Sequence, residues 1–156
     1  MAALGYSRNT GDIDFALAIS PAEFGALHLQ LQAAGFNATL SPSDGDDPLG
    51  GVITIERAGS LTVQLVNFDN APTGGFPALV RDSLERAKGR MAGVLGIVPE
   101  VEDLILFKLY AGGPKSTLDI LELLTRVRVN LDILRERARG YRLSPQLAAV
   151  LQAIHE

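Results

Sequence analysis

The chain has 156 residues, 47% of them hydrophobic and 21% charged, with 14 basic against 18 acidic residues for a net charge of −4. That length suits one domain able to bury roughly 68–70% of its unfolded surface, and the composition excludes wholesale disorder. The acidic balance argues against a whole-surface nucleic-acid binder, and the absence of cysteine excludes disulfides, thiolate metal sites and cysteine nucleophiles. With no apolar run of about 18 residues and no charged-then-apolar leader, a soluble, cytoplasmic protein is expected.

Residues 13–19 are apolar apart from Asp14 and read as a buried strand. Ser20-Pro21-Ala22-Glu23 predicts a helix start, with Ser20 as cap, Pro21 in the first turn and Glu23 completing a capping box. Phe24, Leu27, Leu31 and Ala34 then recur at helical spacing, and Gly35 marks the stop. Residues 41–50, SPSDGDDPLG, are turn formers and predict an exposed loop.

Two strands follow, over residues 52–57 and 61–68. The apolar face of Ile53 and Ile55 meets that of Leu61, Val63 and Leu65 only if the loop between them is odd-numbered. Ile55 then lies opposite Val63 and Thr54 opposite Gln64, which predicts a three-residue loop, Ala58-Gly59-Ser60, with Gly59 at positive φ. The other face carries Thr54, Glu56, Thr62 and Gln64. Beyond a Gly/Pro-rich loop over 69–77, a short helix is expected at 77–86 and a strand at 90–98. Helices are expected at 100–111 and 116–127, broken by Gly112-Gly113-Pro114. Two more should follow at 131–139 and 144–154, capped by Asn130 and Ser144. A mixed sheet followed by helices reads as one α+β domain, with a sheet core over 1–98 and a helical part over 99–156.

Asp12 and Asp14 flank Ile13 at the mouth of the first strand, so on extended backbone both carboxylates face one side. Adjacent like charges call for a cation between them, and hard Mg²⁺ takes oxygen ligands while sharing phosphate oxygens of a nucleotide. Arg8 and Thr10 lie just ahead, suited to holding a phosphate, and Gly11 allows close backbone approach. An acidic pair beside a turn also reads as plain solvated loop, so the pair alone leaves both readings open.

The string GYSRNTGDIDFAL, residues 5–17, resembles the R-x-T-x-D-[IV]-D signature of the nucleotidyltransferase superfamily, in particular its AbiE-type toxin and related minimal members. VEDLILFKLYAGGPKSTLDILELL, residues 101–124, looks like the helical motif of the same group, and the likeness spans most of residues 4 to 125. The resemblance implies transfer of a nucleoside monophosphate from a nucleoside triphosphate to a hydroxyl, with pyrophosphate leaving. Asp12 and Asp14 would hold Mg²⁺ or Mn²⁺, Arg8, Thr10 and Gly11 would line the phosphate site, and Lys108 and Asp119 would form the helical polar pair, Lys108 facing the nucleotide. Implied partners are the triphosphate, an RNA or protein acceptor, a cognate antitoxin or a second copy, and no membrane.

Three places depart from the pattern. The family's opening helix and Gly-Gly or Gly-Ser turn should stand roughly ten residues before Gly5, where the chain has only Met1 to Leu4. The third metal carboxylate is matched by Gln64, with Glu56 one cross-strand diagonal away as a substitute and Asp69 a remoter one. Gly113 and Ser116 stand where an extra Arg and Asp are usual. These departures define the alternative: a catalytically degenerate domain that keeps the fold for binding or oligomerisation.

His28 and His155 lack metal spacing, and no glycine cluster makes a P-loop or dinucleotide fingerprint. Six of the 14 basic residues fall between Arg126 and Arg142, a stretch that reads either as a surface for a polynucleotide acceptor or as a solvated helix face interleaved with Asp132 and Glu136.

Overall fold

A computed structural model describes residues 12–44, 49–70, 77–87 and 98–153. Along these residues run β1 (Asp12–Leu17), α1 (Pro21–Ala33), β2 (Asn37–Pro42), β3 (Gly51–Glu56), β4 (Thr62–Asn67), α2 (Pro77–Ala87), α3 (Val101–Ala111), α4 (Gly113–Arg126), α5 (Leu131–Gly140) and α6 (Ser144–Ala153). The class is α+β, with a mixed sheet and helices. Residues Asn9–Arg81 and Asp82–Glu156 make two compact units, with the division inside α2. No helix among the described residues is long and apolar enough to cross a membrane.

The first unit is built on a four-stranded sheet in the order β1-β4-β3-β2. β1 pairs with β4 in parallel, while β4 with β3 and β3 with β2 are antiparallel. The hairpin register is the expected one, Ile55 opposite Val63 and Thr54 opposite Gln64, and Gly59 takes φ of 74° in the turn that Ser60 N–H closes onto the Arg57 carbonyl at 3.0 Å. Phe24, Leu27 and Leu31 of α1 pack on the face made by Leu17, Ala38, Leu40, Ile53, Ile55 and Leu65. Strand alternation therefore leaves Asp12, Asp14, Thr54, Glu56, Thr62 and Gln64 on the opposite face.

Two expectations fail in this unit. β1 is not buried: Ile13 and Phe15 are 42% and 40% exposed, because β1 ends the sheet and pairs only with β4. Residues 41 and 42, read as loop, belong to β2, a strand hidden by its polar sequence NATLSP and held by pairing with β3 along its length.

α1 starts and stops as its sequence dictates. The Ser20 hydroxyl accepts the Glu23 N–H at 3.3 Å and the Glu23 carboxylate accepts the Ser20 N–H at 2.9 Å, a full capping box. At the other end Gly35 takes φ of 86° and Phe36 N–H reaches back to the Leu31 carbonyl at 3.0 Å. Hydrogen bonds from the Ser20 hydroxyl and backbone hold the Glu23 carboxyl below its ordinary value of 4.5. A lowered carboxyl stabilises the folded form above the ordinary value and loses that contribution as pH falls through the lowered one. Protection factors at the first amides of α1, with intrinsic exchange divided out, should therefore fall as pH drops below 4.5, and Ser20→Ala, which keeps only the backbone bond to Glu23, should shrink that step.

The second unit is helical. α3 is its central element, buried through Val101, Ile105, Leu106 and Leu109 and packed against α4 and α5. The glycine break between α3 and α4 is shorter than expected: Gly112 and Gly113 take φ of 67° and 80°, and Pro114 sits in the first turn of α4 rather than ahead of it. Asn130 caps α5 as expected, its side chain accepting the N–H groups of Asp132 and Ile133 at 3.2 Å. Ser144 is the first residue of α6, not its cap. The turn closes instead from Leu147 N–H to the Leu143 carbonyl at 3.0 Å. The strand expected at 90–98 lies outside the described residues but for Val98, which is not in a strand.

Candidate functional site

The polar face of the sheet is set by register. Asp12 lies beside Thr62 and Asp14 beside Gln64, and Gln64 in turn faces Thr54 on β3 and Thr54 faces Thr39 on β2. A row of polar side chains thus crosses all four strands on the side away from α1. Asp14 and Thr39 are exposed, and Gln64 and Thr54 half-buried. Alternation puts Asp12 and Asp14 about 6.7 Å apart along β1, close enough for both carboxylates to reach one ion. Glu56 shares the face but sits on β3, with β4 between it and β1, so it lies two strand spacings or about 9.6 Å from β1.

Among the described residues no three Asp, Glu or His side chains converge as a metal cluster. Two carboxylates with an amide oxygen alongside still suit Mg²⁺, which keeps waters and substrate phosphates as its remaining ligands. Arg8, Thr10 and Gly11 lie outside the described residues. Asp69 is separated from this face: it lines a cleft with Phe24 of α1 and Leu40, on the helix-covered side.

Lys108 and Asp119 come together within the second unit. The Lys108 ammonium donates to the Asp119 carboxylate at 2.5 Å, tying α3 to α4, with Asp119 only 5% exposed. The short link at Gly112 is what brings the last turn of α3 beside the start of α4.

A larger polar cluster in the same unit was not foreseen. Asp103 is fully buried on α3 and accepts from Arg86 Nε at 2.9 Å and Nη2 at 2.7 Å, a bidentate pair, and from Arg137 Nη1 at 3.0 Å. Arg137 also reaches Glu100 at 2.6 Å, and the Tyr141 hydroxyl, 3.4 Å from two Arg86 nitrogens, donates to Asp82 at 2.9 Å. Burial by itself pulls Arg86 down, but the hydrogen bonds and charge of Asp103, with Tyr141, outweigh it and hold the guanidinium above its ordinary range. Burial pushes the Tyr141 phenol up. Its bond to Asp82 adds to that rise and Arg86 offsets part of it. The cluster joins α2, α3 and α5 and reads as architecture, since both guanidiniums are held by carboxylates and Asp82 accepts from the Tyr141 hydroxyl.

The arginine-rich stretch divides accordingly. Arg137 belongs to the buried cluster, while Arg126 pairs with Glu122 and Arg135 with Asp132 along their own helices. Charge is unevenly shared between the units. Residues 9–81 hold eight carboxylates against Arg57 and Arg81 alone. No protein-family model matches the chain, and no curated protein matches it.

Proposed function

We propose that the chain is a nucleotidyltransferase-like protein that moves a nucleoside monophosphate from a nucleoside triphosphate to a hydroxyl acceptor. The reading is carried by Asp12 and Asp14 projecting together from β1 on the open polar face, with Gln64 in register beside Asp14. The two carboxylates would hold Mg²⁺ or Mn²⁺, which when bound neutralises phosphate charge and polarises the transferred phosphoryl group. Gln64 and Thr54 would orient the phosphates or the acceptor by hydrogen bonding. The acceptor oxygen attacks the α-phosphorus and pyrophosphate departs. Residues 9–81 are so acidic that a triphosphate meets net repulsion there, so its binding should depend strictly on the divalent ion. A cytoplasmic setting, an RNA or protein acceptor and a cognate antitoxin accord with the AbiE-type likeness of residues 5–17.

The test is transfer of α-labelled nucleoside monophosphate, with nucleotide binding followed by calorimetry with and without Mg²⁺. Asp12→Asn and Asp14→Asn should each cut transfer about a thousandfold, as loss of several kcal/mol of charge stabilisation implies, while leaving the circular dichroism unchanged. Wild-type protein that binds no triphosphate in excess Mg²⁺ would sink the proposal.

A second reading is favoured by one observation. Gln64, an uncharged amide, stands beside Asp14 where the resemblance expects the third carboxylate, which suits a degenerate domain retained for binding or oligomerisation. In that case the Asp12→Asn/Asp14→Asn double variant folds as well as or better than the parent, by relief of like-charge repulsion, and the parent transfers no label.

A further inference from the structure

A second concavity lies in the first unit, on the helix-covered side of the sheet. It encloses about 220 Å³ between the first turns of α1, the end of β2 and the segment after β4. Its walls include Pro21, Phe24, Leu40 and Pro42, all apolar, with Ser43, Asp69 and the fully buried Asn70 as polar lining.

Two of these three, Ser43 and Asp69, have side-chain oxygens that no described residue engages. The Ser43 hydroxyl is buried with no hydrogen-bond partner, which a folded protein rarely tolerates without a ligand or water to meet it. The half-buried Asp69 is engaged through its backbone, its N–H donating to the Asn67 side chain at 3.2 Å and its carbonyl accepting from it at 3.4 Å. Its carboxylate has no partner among the described residues. The surroundings select the sign of a ligand. Between Asp12 and Val80 the sequence holds eight carboxylates and a single arginine, Arg57, so an anion is repelled and a cation drawn in.

We infer that this cleft binds a small primary alkylammonium. The ammonium donates to the Asp69 carboxylate and the Ser43 hydroxyl oxygen, and the alkyl stem lies on Phe24, Leu40 and Pro42. At about 30 Å³ per water the cleft equals some seven waters, the size of a four- to six-carbon amine. Charge on Asp69 gives orientation and the apolar walls give length selectivity, the division of labour of small-molecule sites. The site is independent of Asp12 and Asp14, which project from the other face.

Titration of the whole protein with n-butylammonium chloride, followed by amide chemical shifts, should show saturable binding with the largest changes at Leu40, Gly50 and Asp69. n-Butanol and n-butyrate share the stem and should bind about tenfold or more weakly. Asp69→Asn keeps the shape and should weaken butylammonium by about tenfold, and Ser43→Ala by about threefold, with thermal melts recorded to show that each variant is folded. Asp12→Asn should leave amine binding intact, which separates this result from any result on nucleotides. Binding of butanol as tight as that of the amine, no saturable shift, or full affinity in folded Asp69→Asn would each overturn the assignment.

Discussion

Asp103→Ala should lower stability by about 3 kcal/mol, the low end of what removal of one partner from a buried ion pair costs. The substitution takes from Arg86 the carboxylate it grips and leaves Arg137 with Glu100 alone. The two arginine side chains are 26% and 17% exposed, so each can turn part of its guanidinium to water, which keeps the loss near that lower limit. Urea denaturation followed by far-ultraviolet circular dichroism reads the effect. A companion variant separates two physical causes. Exchanging Arg86, Asp103 and Arg137 together for Met, Leu and Met removes the attraction and the desolvation cost at once, and should land close to the parent. If the triple variant is as unstable as Asp103→Ala, the cluster contributes net attraction rather than merely balancing its own burial.

Gly50→Ala should be nearly as damaging, at about 3 kcal/mol, the upper end for forcing atoms into a packed interior. A methyl group there would stand 2.2 Å from the Asp69 carbonyl oxygen and 3.0 Å from the Asn67 amide nitrogen. Neither neighbour can retreat. Gly50 N–H already donates to the Asn67 carbonyl at 2.7 Å, and the fully buried Asn67 side chain also grips both the N–H and the carbonyl of Ile19, at 3.3 and 2.9 Å. Thermal melts should place this variant well below a Gly25→Ala control, where the added methyl meets nothing within 4 Å and helix propensity favours alanine.

The parts of the fold legible from sequence were those decided locally. The capping box and stop of α1 rest on adjacent residues, and the β3–β4 register rests on period-two alternation plus the parity of a short loop. The exposure of β1 was illegible because it depends on strand order, a property of residues some fifty positions apart. β2 was missed because only Ala38 and Leu40 turn toward the core in a stretch otherwise rich in turn formers, and pairing with β3 overrode that preference. The same distinction runs through the polar residues. That Asp12 and Asp14 share a side follows from their spacing, and that Gln64 and Thr54 oppose each other follows from the hairpin. Asp103 looked like an ordinary acidic residue in the first turn of a helix, since its partners at 86 and 137 are remote in sequence and lie on other helices. Only the apolar neighbours at Leu106 and Leu109, three and six positions on, hinted that its side of α3 faces inward.

The parallel pairing of β1 with β4 also governs the order of assembly. β2, β3 and β4 form a meander whose neighbours are consecutive, so it can close by short loops as soon as residue 67 is available. β1 leaves the ribosome first yet has no place to dock until the last strand exists, and must wait while about fifty residues are made. The strand bearing Asp12 and Asp14 is thereby the final piece of the sheet, and its alignment is chosen against a preformed edge. A slip of one residue at that moment would turn both carboxylates toward α1 and Leu17 away from the core it joins, so Leu17 acts as the proofreader of the acidic side.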